Sequence, residues 1–312
     1  MIIKNIEHIV KLAENNDLEA IEKLTIVQER EQNRALNFRS ALMISAHNAK
    51  HLNKIDTLNT GCAMINLEDG VAKEKKPLAL RLCALFLSKL PTCKKKLVVR
   101  VNELDNGGEE EILYLNKFKP DAIRIPKIET TQDVVRALKL IDESIEVHLS
   151  IETSKAWLNL QDLRVDDRVK VFYLGILDLL ADLKLPLSLL TPENHTIHSI
   201  LSQFLLTSSA LGVKPVSFVY QYHKNMQGFE QWLEIEEQMG FLAKGCISPE
   251  QAIRADDVFG ISLAALSEAH YIVVEFEKKR KEGNTGFVDE KLGFIDEPIY
   301  KGARALLELG EK

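Results

Sequence analysis

The stretch Leu97-Val98-Val99-Arg100-Val101-Asn102 is apolar until its end, where an arginine and an asparagine break in. The design recurs on both sides of it. Short apolar runs occupy residues 41–44, 62–65, 97–101, 122–125, 147–151, 169–174, 216–220 and 242–247, and most are separated by amphipathic segments of helical length. Strands alternating with helices imply parallel pairing, because each return to the sheet needs a crossover. Eight such units predict an α/β fold closed as a (β/α)8 TIM barrel, which typically takes about 250 residues. With 312 residues the chain has room for one.

Outside the barrel, residues 1–37 read as a helical extension. Ile2, Ile3, Ile6, Ile9 and Val10 fall at helical spacing, and Asn15-Asn16-Asp17 can cap a second helix through Leu18, Ile21, Leu24 and Val27. The barrel is expected over 38–265. Residues 266–312 are expected to form a helical tail or lid, in which a polar region with Gly283, Gly286 and Pro298 divides two helical patterns.

Charge and composition narrow the class. A net charge of −6 argues against nucleic acid as the main partner. No apolar run of about 18 residues is free of charges, so no membrane partner is expected. Lys4, Glu7, Lys11 and Glu14 interrupt the start, which is not a signal-peptide pattern, and a cytoplasmic protein is expected. Cys62, Cys83, Cys93 and Cys246 show no CxxC pair and read as reduced thiols.

Catalytic groups of barrels stand at the C-terminal ends of the strands. Here Asn66, Glu68 and Asp69 follow the second run, Arg100 and Asn102 end the third, and Lys127 and Glu129 follow the fourth. Glu152 ends the fifth, Asp178 follows the sixth and Ser248 the eighth. Glu152 and Asp178 stand on neighbouring units, and two carboxylates so placed can hold Mg2+ while leaving positions open for substrate. The competing reading is an ion-paired Glu152 and an Asp178 that serves a helix start. Arg100 suits bidentate binding of a carboxylate, or an internal salt bridge to Glu68 or Asp69. Arg39, before the first run, is open between substrate binding and a surface charge. The Lys73 to Lys76 run, with Arg81, reads as a solvated helix start that can also attract phosphates. His148, inside the fifth run, reads as a barrel residue rather than a ligand.

These residues together resemble the HpcH/HpaI aldolase and citrate lyase β-subunit family. The resemblance is carried by Arg39-Ser40, Ile65-Asn66-Leu67-Glu68-Asp69-Gly70-Val71, Lys76 with Arg81, and Val99-Arg100-Val101-Asn102. It continues through Ile125-Pro126-Lys127-Ile128-Glu129, Ile151-Glu152-Thr153, Gly175-Ile176-Leu177-Asp178-Leu179 and Gly245-Cys246-Ile247-Ser248-Pro249. It implies a barrel, Mg2+ as cofactor, and a homo-oligomer of three or six. It also implies Glu152 and Asp178 as metal ligands, Arg100 and Arg39 as substrate-binding groups, and Arg100, Glu68 and Asp69 as the catalytic set beside the metal and its waters. The implied chemistry is aldol or Claisen cleavage of a hydroxy-dicarboxylic acyl-coenzyme A thioester or a hydroxy-oxo acid, releasing a 2-oxo acid.

Departures from the family pattern matter as much. Its Asp-Leu-Glu-Asp run reads Asn66-Leu67-Glu68-Asp69 here, its Ile-His-Pro reads Ile247-Ser248-Pro249, and aspartates near the seventh strand become Ser217 and Asn225. They motivate an alternative: a divergent relative that binds metal and ligand with little lyase activity, acting as a subunit or sensor. A thioesterase side activity is a further expectation.

Overall fold

The computed structural model describes residues 1–311. Helices α1 (Ile6–Glu14) and α2 (Leu18–Leu24) open the chain, and the Asp17 carboxylate caps α2 by accepting the Ala20 N–H at 3.0 Å. Then come β1 (Ser40–Ser45), α3 (Ala49–Leu52), β2 (Cys62–Asn66), α4 (Lys76–Ser88), β3 (Lys96–Arg100) and α5 (Gly108–Leu115). They are followed by β4 (Ala122–Ile125), α6 (Thr131–Leu140), β5 (Glu146–Ile151), α7 (Ser154–Leu158), β6 (Val169–Leu174) and α8 (Ile176–Asp182). The barrel unit ends with α9 (His195–Ala210), β7 (Lys214–Val216), α10 (Met226–Met239), β8 (Lys244–Cys246) and α11 (Pro249–Val258).

All eight strands pair in parallel, in the order β7-β6-β5-β4-β3-β2-β1-β8. The ring closes one residue past β7. The Ser217 N–H donates to the Ala243 carbonyl at 2.9 Å, and the Ser217 carbonyl accepts the Gly245 N–H at 3.0 Å. The predicted barrel is therefore present. Its last two strands are shorter than their apolar runs, three residues each.

Strand alternation sets the two layers. Leu97 and Val99, Ile123 and Ile125, and Val147, Leu149 and Ile151 face the helices and join one large apolar core. Full burial of each such side chain contributes roughly 1.5–3 kcal/mol. The opposite parity points into the barrel and is polar: Lys96 and Arg100, Arg124, then Glu146, His148 and Ser150.

The extension is tied to the barrel unit rather than forming a domain of its own. The guanidinium of Arg30 grips Asp121, just before β4, at 2.6 and 3.2 Å, and donates to the Leu90 and Lys119 carbonyls. Asp121 also accepts the N–H groups of Asn33 and Leu97. Met1–Arg34 and Phe38–Phe259 form one compact unit, and Ala35–Asn37 with Gly260–Lys312 form the other, a division that differs from the expected boundaries at 37 and 265.

In the second unit, α12 (Leu263–Lys281) is followed by β9 (Gly286–Asp289), β10 (Gly293–Asp296) and α13 (Glu297–Glu311). Where the sequence suggests only a polar divider, Phe287 and Ile295 pair across an antiparallel hairpin. Ile272, Phe276, Ile295 and Tyr300 form its core, with the rings of Phe276 and Tyr300 stacked at 4.7 Å. By length and composition 249–281 could cross a membrane. The break at 259–262 splits it into helices of 10 and 19 residues, and the longer one carries Glu268, Glu275, Glu277 and a basic last turn, unlike the apolar stretch a span needs.

Candidate active site

Glu152 stands directly after β5 and is 2% exposed. Its Oε1 accepts the Lys127 backbone N–H at 2.8 Å, and its Oε2 lies 3.6 Å from Arg100 Nη2. The turn after Pro126 aims that N–H by holding Lys127 at φ +48°, a left-handed conformation that costs a side-chain residue roughly 1–2 kcal/mol. Space for the carboxylate comes from Gly175. A Cβ there would stand 2.5 Å from Glu152 Cβ and 2.7 Å from its Oε2.

Arg100 ends β3 at the centre of the group and is 4% exposed. Its Nη2 is 2.9 Å from Glu68 Oε2 and its Nη1 3.3 Å from Asp69 Oδ2. Its Nε is buried with no hydrogen-bond partner among the described residues. Burial pushes the Glu68 carboxyl up to about 7, against the pull of Arg100. Asp178 sits in the exposed first turn of α8. Partial desolvation first, then the charges of Glu152 and Asp69, raise its pKa.

The turn that presents Glu68 and Asp69 is braced by Asn66. Its Oδ1 accepts the Glu68 N–H at 3.2 Å, and its Nδ2 donates to the Asp69 carbonyl. Asn102 braces the next turn. Its N–H and Nδ2 both donate to the Glu111 carboxylate, and its Oδ1 accepts from Lys76 Nζ.

One layer deeper lie residues that, His148 apart, the sequence did not single out. Arg124 donates from Nε to Ser150 Oγ at 2.8 Å and lies over the Tyr173 ring at 4.2 Å. Below it, Lys96 pairs with Glu146 at 2.9 Å, and His148 Nδ1 lies 3.2 Å from the Tyr173 hydroxyl. The signal for Arg124 was parity, since it stands two residues after Ala122 on the inward face. His148 is a buried barrel residue whose pKa burial lowers to about 4.

Glu68, Asp69, Arg100, Glu152 and Asp178 are thus gathered at one end of the barrel, and Arg39 is not. It precedes β1 at the opposite end, where its exposed guanidinium donates to the Asp256 carbonyl at 3.1 Å. Arg81 is also turned away: it pairs with Glu22 of α2 at 2.6 Å and lies over the Tyr114 ring. Glu129 pairs with Lys155 at 2.6 Å. The substituted positions carry structural bonds. Ser248 caps α11 and Asn225 caps α10, while the Ser217 hydroxyl donates to Glu236 at 2.5 Å. All four cysteines are free thiols, and Cys62, Cys83 and Cys246 are buried.

This arrangement coincides with a sequence pattern, that of the HpcH/HpaI aldolase/citrate lyase family, matched over residues 39–249. The chain belongs to that family. As a member of the HpcH/HpaI aldolase/citrate lyase family it is an enzyme of the carbon–carbon lyase type. It is 29% identical over 257 residues to a (3S)-malyl-CoA thioesterase of Cereibacter sphaeroides, covering 82% of this chain and 89% of that one. It is 23% identical over 291 residues to the mitochondrial citramalyl-CoA lyase of Homo sapiens, covering 87% and 85%. Its fold matches that of the protein CitE from Mycobacterium tuberculosis, solved in complex with magnesium, acetoacetate and coenzyme A. There the TM-score is 0.68 at 19% identity, over 88% of this chain and 98% of that one.

Proposed function

We propose that the chain is a Mg2+-dependent carbon–carbon bond lyase that cleaves a hydroxy-dicarboxylic acyl-coenzyme A thioester, or a free hydroxy-oxo acid, and releases a 2-oxo acid. The observation that carries this reading is the contact of Arg100 with Glu68, Asp69 and Glu152 at the mouth. A guanidinium shared by three carboxylates has anions to release when a cation arrives.

The donor set fits Mg2+. The ion takes one or two protein carboxylates and keeps several waters, so Glu152 and Asp178 suffice to hold it, with Glu68 and Asp69 placed to bind its waters. A third ligating side chain is not required, and among the described residues no three His, Cys, Asp or Glu side chains are arranged to hold one metal ion together. When bound, the ion supplies Lewis-acid polarisation to substrate oxygens and charge stabilisation to an enolate.

The chain's own residues supply the rest. Arg100, freed from Glu152, takes the substrate carboxylate through two parallel N–H donors. Glu68, held at 2.9 Å by Arg100 and with its pKa raised by burial, is the carboxylate that can accept the substrate hydroxyl proton. The carbon–oxygen bond becomes a carbonyl, the carbon–carbon bond breaks, and its electron pair passes to the acyl α-carbon as an enolate. A proton returned to that carbon completes the acyl product. A cleft of about 710 Å3 between α1, α3 and the start of α4 is lined by Glu14, His47, Lys50, Glu74 and Lys75 among others. Lys50 pairs with Glu7 at 3.4 Å, and His47 and Lys75 are the groups there that could meet the phosphates of coenzyme A.

A second reading is supported by Asn66 and Ser248, which stand where the family pattern has an acid and a histidine and instead brace a turn and cap a helix. It is a divergent member with little lyase activity, or with thioesterase activity instead. Turnover separates the readings. Purified protein with Mg2+ or with EDTA is given malyl-, citramalyl- and citryl-coenzyme A and free 4-hydroxy-2-oxo acids, and products are followed by mass spectrometry. Mg2+-dependent release of a 2-oxo acid is expected. Hydroxy acid with free coenzyme A would mark a thioesterase, and bound Mg2+ without turnover would support the divergent reading.

A further inference from the structure

Five cationic side chains of the barrel unit are buried: Arg30, Lys96, Arg100, Arg124 and Lys244. Four of them touch a carboxylate. Arg30 meets Asp121 at 2.6 Å, Lys96 meets Glu146 at 2.9 Å, Arg100 meets Glu68 at 2.9 Å and Lys244 meets Glu236 at 2.6 Å. Arg124 is the exception among the described residues. Only 6% of it is exposed, and its contacts are neutral: Ser150 Oγ at 2.8 Å, Met64 Sδ at 3.1 Å and the Tyr173 ring at 4.2 Å. A guanidinium stays charged in such a place, and a buried charge without a partner is costly. Its counter-charge must come from the next layer.

That layer is the active site. Ser150 stands two residues before Glu152 on the same face of β5, and Met64 two residues before Asn66 on β2. Arg124 and Arg100 are paired positions on adjacent strands. Its contact with Ser150 therefore puts the guanidinium of Arg124 about two strand residues, roughly 7 Å, below Glu152. Burial and then Arg100 draw its pKa down to about 10, while Glu152 and Glu68 act the other way.

We propose that Arg124 is a positioning residue that sets the balance between metal and anionic ligand: a buried cation under Glu152 that weakens Mg2+ binding and strengthens binding of the 2-oxo acid. The inference rests on the metal reading of Glu152 and Asp178 given above. The fixed charge competes with the metal for the field of Glu152 and attracts a carboxylate that arrives at the mouth.

The experiment is calorimetric titration of Mg2+ into the full chain, and of pyruvate as the probe into the chain saturated with Mg2+, for the wild type, Arg124→Met, Arg124→Gln and Arg124→Lys. Arg124→Met is expected to bind Mg2+ roughly tenfold tighter, since a repelling charge at this range is gone, and pyruvate roughly tenfold more weakly, since an attracting one is gone. Arg124→Lys, which keeps the charge, is expected to retain both wild-type values. Should Arg124→Met fail to fold, Arg124→Gln, which can still donate to Ser150, is read in its place. A neutral variant that binds Mg2+ equally or more weakly would reduce Arg124 to a packing role and overturn the inference. An unchanged pyruvate affinity in that variant would overturn it too. A wild type that binds no Mg2+ would instead sink the metal reading itself, and the inference with it.

Discussion

Gly175 has no room for a methyl group, because the Glu152 carboxylate fills the space beside it. Gly175→Ala should therefore shift that carboxylate. We expect at least a tenfold loss of Mg2+ affinity by calorimetry, with the secondary structure intact by circular dichroism. His148 gives a pH dependence. Its folded-state pKa of about 4 lies below the unfolded value of 6.5, so between those limits only the unfolded chain takes up the proton. Stability should fall as pH drops through this window, by up to about 1.4 kcal/mol per pH unit. Urea denaturation at pH 7 and pH 5 checks this, and His148→Gln should flatten the difference. At this scale the sequence was only partly legible. Glu68, Arg100 and Glu152 could be read because each stands at the end of an apolar run. Arg124 was hidden inside such a run, and Arg39 was brought to the site by the family resemblance alone, although its place before a strand marks the opposite end.

Among the elements, the extension is held by one buried contact more than by its helices. Arg30 and Asp121 are both nearly inaccessible, and Asp121 also organises the starts of β3 and β4 through Leu97. Arg30→Met should cost roughly 3–5 kcal/mol in chemical denaturation, because it strands a buried carboxylate. Arg30→Met combined with Asp121→Asn should recover much of that loss. If the double variant is no better than the single one, packing rather than charge holds the segment. The helices α1 and α2 were readable from their periodicity, though α2 stops at Leu24 and Val27 falls outside it. The strap from 26 to 34 was not, since it has no period and its partners are about 60 to 90 residues away. The hairpin of β9 and β10 escaped for a different reason. Each strand has four residues between glycines and acids, so its alternation is too brief to stand out.

For the whole molecule, eight parallel strands in sequence order could be foreseen because every helix-facing residue had to be apolar, and the barrel's connectivity leaves little freedom of order. The functional reading depends on the same geometry. Closure of the ring brings Glu68, Arg100 and Glu152 from three strands to one mouth, although 84 residues separate the first from the last. Sequence could indicate that these groups converge, but not how the chain fills the positions where it departs from the family, because a cap and a base look alike until their partners are known. The most direct test of the central claim is the rate of 2-oxo acid release from the best acyl-coenzyme A substrate in saturating Mg2+, wild type against Glu152→Gln. The account predicts a drop of at least about a hundredfold, equivalent to roughly 2.7 kcal/mol of transition-state stabilisation, in a variant that stays folded. A Glu152→Gln rate close to that of the wild type would contradict it.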